Sequence, residues 1–148
     1  MSPSELQSFL RTRIPVADFM QINVVRAEPE LIEFSAPLAP NSNVHDTLFG
    51  GSSAAIAMVA AWSLVYIGMQ KEELGSNLVV LRQNMTYLRP VAGEFTIVAT
   101  FAHENVWSDF VATLNSKGRA RILLDVALQY DGQLAGKLEA EMAASIPH

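Results

Sequence analysis

The sequence has no cysteine, only three histidines and little charge: 17% of its 148 residues are Asp, Glu, Lys or Arg, against about 25% in an ordinary soluble domain. Without cysteine there are no disulfides, no thiolate nucleophile and no Cys-ligated zinc. His45, His103 and His148 form no HExxH pair, and no G-x-S-x-G elbow occurs. A zinc hydrolase and an α/β-hydrolase elbow are therefore excluded, and no metal site is expected. The net charge of −5 leaves no clustered basic surface, so no nucleic-acid partner is expected. With 50% hydrophobic residues the composition is the opposite of a disordered chain. The N-terminal MSPSELQSFLRTR has no charged start followed by an apolar core, so a cytoplasmic location is expected.

The longest gap in charge runs from Thr47 to Gln70, 24 residues without one Asp, Glu, Lys, Arg or His. By length alone this is a transmembrane candidate. Its composition says otherwise, because eleven of the twenty-one residues from Gly50 to Gln70 are Gly, Ala or Ser. A lipid-facing span is richer in Leu, Ile and Phe and carries basic residues at one end. Small residues instead let a helix lie close against a sheet, and an uncharged helix is one buried all round. The reading is a buried helix with no membrane insertion, covered by its own sheet and by a second protomer. A homodimer is expected, with a dimer of dimers as the larger alternative.

The rest of the chain reads as a single α+β domain over residues 1–148. Ser2, Pro3 and Glu5 open a helix that ends at Ile14-Pro15. Strand patterns follow over Met20–Ala27 and Glu30–Ala36. A polar loop from Pro37 to Leu48 leads to the long helix at Gly50-Gly51, where Ser52 and Ser53 are expected to help cap it. Beyond Gly75 the period becomes two, over Leu78–Tyr87, Glu94–His103, Arg119–Tyr130 and Gln133–Ala144. Asp131-Gly132 between the last two is a hairpin signal. Trp107, Phe110, Val111 and Leu114 fit a short helix. Strands joined by short turns give an antiparallel sheet, and the one long helix has to cover a face of it.

Chemistry is concentrated where the polar loop meets the two glycines. Backbone N–H groups at a helix start are unpaired and partially positive, and glycine lets a ligand carbonyl approach them closely. Such a place can hold an oxyanion. Asn43, His45, Asp46 and Thr47 lie just upstream and can hold and deprotonate a water. Asn, Asp and Gly are also ordinary turn-formers, so the loop alone does not decide between the two. Met58 and Trp62 are candidates to line an apolar chain, and equally plain core residues. Arg89 and the Lys117/Arg119/Arg121 group are candidates to meet phosphates, and equally solvated strand ends.

The pattern Asn43-x-x-Asp46-x-x-Phe49-Gly50-Gly51, the buried helix after it, Tyr87-Leu88-Arg89-Pro90-Val91 and Lys117-Gly118-Arg119-Ala120 together resemble the hotdog-fold thioesterases. The resemblance is in particular to the putative thioesterase (YiiD C-terminal) family and runs from about Pro15 to Ala144. It implies a hotdog fold, with a curved antiparallel sheet around the long helix. It also implies hydrolysis of an acyl-CoA or acyl-carrier thioester, with coenzyme A entering as part of the substrate and no separate cofactor. Asn43, His45, Asp46, Gly50 and Gly51 then become the catalytic candidates. Phe49, Met58, Trp62, Arg89, Lys117 and Arg119 become the substrate-binding ones. The chain departs from the family pattern at two places: His45 stands one position late, with Val44 in its place, and Asp46 replaces a glycine. Many hotdog thioesterases also carry an acid on the central helix. Here the equivalent place lies near Met58, and the first acid after Asp46 is Glu72. The base is then Asp46, His45 or an acid from a partner subunit; a non-catalytic acyl-binding module and a hotdog hydratase are the competing readings.

Overall fold

A computed structural model describes residues 1–147. The first helix, α1 (Pro3–Arg13), starts as its sequence demands: Ser2 caps it by accepting from the Glu5 N–H at 3.2 Å, with Pro3 in the first turn. Pro15 does not only end α1. Its fixed φ also starts a second short helix, α2 (Pro15–Phe19), which the sequence reading places in a connecting segment. α2 closes through Gln21 at φ 57°, so the first strand, β1 (Asn23–Glu28), begins three residues later than its apolar pattern suggests.

β2 (Leu31–Ala36) returns as a hairpin and leads through a single 3-10 turn, Ala39–Asn41, into the long helix α3 (Gly50–Lys71). β3 (Leu78–Tyr87), β4 (Phe95–Phe101), α4 (Val106–Lys117), β5 (Arg119–Tyr130) and β6 (Gln133–Ser145) follow within a residue or two of the periodicity boundaries. The six strands form one antiparallel sheet in the order β1-β2-β4-β5-β6-β3. In β5 the register is that of a half-buried strand: Ala120, Ile122, Leu124, Val126 and Leu128 are buried, and Arg119, Arg121, Leu123 and Asp125 face out.

α3 lies against the concave face of this sheet. Ile56, Val59, Ala60, Ala61, Leu64 and Val65 are buried against Phe34, Phe95, Ile97 and Leu124 in one core. It is long and apolar enough to cross a membrane, but over half of its most apolar stretch is buried inside the protein. Ile67, near the end of α3, is only half buried. A curved antiparallel sheet around one central helix is the hotdog arrangement.

The two sheet edges are treated differently. α1 covers β1: the Val24 N–H donates to Gln7 Oε1 at 2.8 Å, and Arg11 donates to the Ile22 carbonyl and Asn23 Oδ1. β3 pairs with β6 on one side only, and of its ten residues Leu78 alone is buried. Val79, Leu81 and Tyr87 stand exposed along it.

Candidate active site

α3 begins without a side-chain cap. Its N-cap position is Phe49, which offers no acceptor. Ser52 and Ser53, expected to help cap, lie inside the first turn, and the Ser53 hydroxyl donates back to the Gly50 carbonyl at 2.9 Å. No acceptor meets the Gly50, Gly51 or Ser52 N–H groups among the described residues. These donors border a cleft of about 530 Å³ lined by Leu48, Gly50, Gly51, Ser53, Tyr87, Leu88, Arg89, Pro90, Val91 and Leu128. Val91 and Leu128 form a buried apolar floor, and Arg89 stands exposed at the rim.

Tyr87 shapes this cleft and escapes a sequence reading that takes it only as part of a motif. Its hydroxyl donates to the Gly50 carbonyl at 2.9 Å across 37 residues. Its ring lies 3.1 Å from where a Gly50 Cβ would stand, so glycine there eases the close approach of the ring. The loop is locked in front of it by short backbone bonds, Leu48 N–H to the Val91 carbonyl and Phe49 N–H to the Asn41 carbonyl. Asn41 is the buried asparagine: its amide donates to the Met20 and Pro37 carbonyls at 2.9 Å each, tying the end of α2 to the loop.

Asn43, in contrast, is a turn-former. Its Oδ1 accepts from the His45 and Thr47 N–H groups, and its Nδ2 donates to Thr47 Oγ1. The amide is used within the loop and builds the bend that presents His45 and Asp46 to solvent. Asp46 sits at φ 59°, a left-handed conformation that glycine adopts freely and Asp tolerates. That accounts for a glycine in the resembled pattern at this place.

Of the sequence-stated candidates, Gly50, Gly51 and Arg89 line the cleft; Asn43, His45, Asp46, Phe49, Met58, Trp62, Lys117 and Arg119 do not. Phe49 is exposed, its ring 2.5 Å from a notional Gly51 Cβ. Met58 is half buried on α3. Trp62 stacks on Tyr66 with ring centroids 4.6 Å apart and donates to the Leu78 carbonyl at 3.2 Å. Lys117 and Arg119 are exposed at the start of β5, about 30 Å along the strand from Leu128. Among the described residues no Asp, Glu or His lines this cleft.

A second cleft, about 450 Å³, lies over Arg82, Leu123, Asp125, Glu139 and Glu141 on the outer face of the sheet. Its charges serve one another: Arg82 and Arg121 each approach Glu141 at 3.5 Å. Desolvation, then the facing Glu139, pushes the Asp125 carboxyl up from its ordinary value. Charges paired in this way suit an ion-pair network better than a neutral carbonyl.

The sequence profile of the putative thioesterase family (YiiD C-terminal) matches residues 3–145. The chain belongs to that family. Among solved structures, a protein of unknown function from Chlorobaculum tepidum TLS is 28% identical, with 99% of this chain and 98% of that one covered and a TM-score of 0.90. A putative thioesterase from Shewanella oneidensis is also 28% identical, covering 98% and 97%, with a TM-score of 0.84. A thioesterase from Haemophilus influenzae shares the fold at 17% identity, with a TM-score of 0.80 over 100% of this chain and 94% of its own. Within the family's fold the uncapped glycine pair stands at the head of the central helix, and the Tyr-Leu-Arg-Pro segment packs against it.

Proposed function

We propose that this chain is a thioester hydrolase acting on acyl-CoA or acyl-carrier thioesters at the start of α3, and that it works as a homodimer. The observation that carries the reading is the uncapped Gly50–Gly51 turn, whose free N–H groups border a cleft with an apolar floor and an arginine at its rim. A thioester carbonyl is electrophilic enough to be attacked with this help alone. The Gly50 and Gly51 N–H groups hold its oxygen and stabilise the oxyanion that forms. Water adds to the carbonyl carbon and its proton goes to Asp46, on the bend shaped by Asn43. Asp46 lies outside the cleft lining of the free chain and has to turn toward the bound thioester. The tetrahedral adduct then collapses and the C–S bond breaks. The proton held by Asp46 passes to the leaving sulfur, releasing a thiol and a carboxylic acid and restoring the Asp46 carboxylate.

The free edge of β3 supports the dimer. Antiparallel pairing of two β3 strands about a two-fold axis puts the Tyr87 end of each against the Leu78 end of the other. Trp62 donates to Leu78, and Arg119 pairs beside Ser145 at that same end of the sheet. Lys117 and Arg119 then stand about three strand spacings, or about 15 Å, from the partner's cleft, within reach of phosphates on a long carrier arm. Gly51, Ala55, Met58 and Trp62 fall on one stripe of α3, none of it fully buried by its own sheet. That stripe is where the acyl chain would lie under a second protomer.

The absence of a carboxylate or imidazole lining the single-protomer cleft favours one alternative, an acyl-binding module without turnover. A thiol-release assay over short to long acyl-CoAs, run beside sedimentation of the protein, separates the two. Release above background by a dimer is expected, with Asp46→Asn reducing it at least 10²-fold. Asparagine keeps the left-handed backbone, so the dimer should be unchanged. Acyl-CoA binding with no release would replace the hydrolase by the binding module, and unchanged release by Asp46→Asn would remove Asp46 from the mechanism.

A further inference from the structure

The carbonyl of Gly50 and the N–H of Gly51 belong to one peptide group. Two hydroxyls converge on the carbonyl end of that group, Tyr87 Oη and Ser53 Oγ, each at 2.9 Å. They reach it from different elements, Tyr87 from the end of β3 and Ser53 from one turn along α3. Hydrogen bonds accepted by an amide carbonyl draw electron density through the C–N bond, which makes the N–H on the far side a stronger donor. The N–H concerned, that of Gly51, has no acceptor among the described residues and borders the cleft.

We propose that Tyr87 is a positioning residue that, together with Ser53, polarises the Gly50–Gly51 peptide and so strengthens the Gly51 N–H as the oxyanion donor. The inference rests on the hydrolase reading above for its catalytic consequence, but the polarisation is a property of the unliganded protein. Glycine at position 50 leaves room for the approach of Tyr87. A Cβ there would stand 3.1 Å from Tyr87 Cζ and Oη, so the ring end would have to give by a few tenths of an ångström and the bond to the carbonyl with it. The end of β3 thus acts on the head of α3 directly. A change at the exposed β3 edge is transmitted to the donor through one side chain.

The test is Tyr87→Phe, which keeps the ring and its packing and removes only the hydroxyl, with Ser53→Ala as the second variant. The first readout is the amide resonance of Gly51 in the unliganded protein by ¹H–¹⁵N NMR. In both variants it should move upfield, as a weaker donor does, while amides remote from the α3 start stay in place. The second is steady-state thiol release, where Tyr87→Phe should lower kcat about 3- to 10-fold and leave KM within about two-fold. An unmoved Gly51 resonance overturns the proposal, as does an unchanged kcat in an active enzyme. A moved resonance in a protein with no turnover upholds the polarised peptide and overturns the hydrolase reading instead.

Discussion

Asn41 and Asn43 sit two positions apart, and their surroundings give them different work. Asn41 is buried and joins two chain segments, donating to the Met20 and Pro37 carbonyls, while its Oδ1 has no partner among the described residues. Asn43 bonds only within its own loop. Removing the Asn41 amide leaves two carbonyls without donors, partly offset by losing the orphaned Oδ1. Asn41→Ala should therefore cost about 1–3 kcal/mol in urea unfolding, and a change near zero would show that the loop is held by its backbone bonds alone. Nothing local in the sequence separates the two asparagines, because the acceptor that ties Asn41 to another segment, the Met20 carbonyl at the end of α2, lies 21 residues away. Tyr87 is hidden for the same reason, its partner being 37 residues away. Gly50, Gly51 and Arg89 were legible because a helix start and a strand-end Arg-Pro announce themselves locally.

Strands and helices follow local rules, so most elements were readable in advance. The alternation in β5 and the Asp131-Gly132 turn place its side chains as found, with Asp131 and Gly132 both at positive φ. Structure and sequence pattern differ where one residue type serves two purposes: Pro15 both stops α1 and starts α2, and Ser53 bonds backwards rather than capping. On the outer face, β5 and β6 place Asp125 directly opposite Glu139, a like-charge pair that disfavours ionisation. The Asp125 carboxyl is raised in the folded chain, by desolvation first and Glu139 second, and returns to its ordinary value on unfolding. The folded state therefore binds the extra proton between those two values, and stability falls as pH rises through that window. Above it, ionised Asp125 weakens the fold, though water screens the effect at this exposed position. Calorimetry of Asp125→Asn should show a Tm about 1–3 °C above the parent at neutral pH. The gap should close below the ordinary carboxylate range; a gap that widens there would contradict the account.

At the scale of the whole molecule, the low charge and the uncharged helix have one common explanation. α3 is buried on one side by its own sheet and left half open along Gly51, Ala55, Met58 and Trp62, beside a β3 edge with no partner of its own. In the dimer proposed above, the distance of Trp62, Lys117 and Arg119 from the cleft is set by how two copies meet, which the sequence alone does not give. What the single chain does contain is a set of N–H groups without acceptors among the described residues at the head of α3, which on the hydrolase reading proposed above hold the oxyanion. The most direct test of that claim uses an acyl-CoA analogue with a methylene in place of the thioester sulfur and ¹³C at the carbonyl. Such a compound binds without being cleaved. Isotope-edited infrared spectroscopy should find the carbonyl stretch of the bound analogue below its frequency in water, and moved part of the way back in Tyr87→Phe. A bound carbonyl that absorbs where the free one does would show that the head of α3 does not hold it.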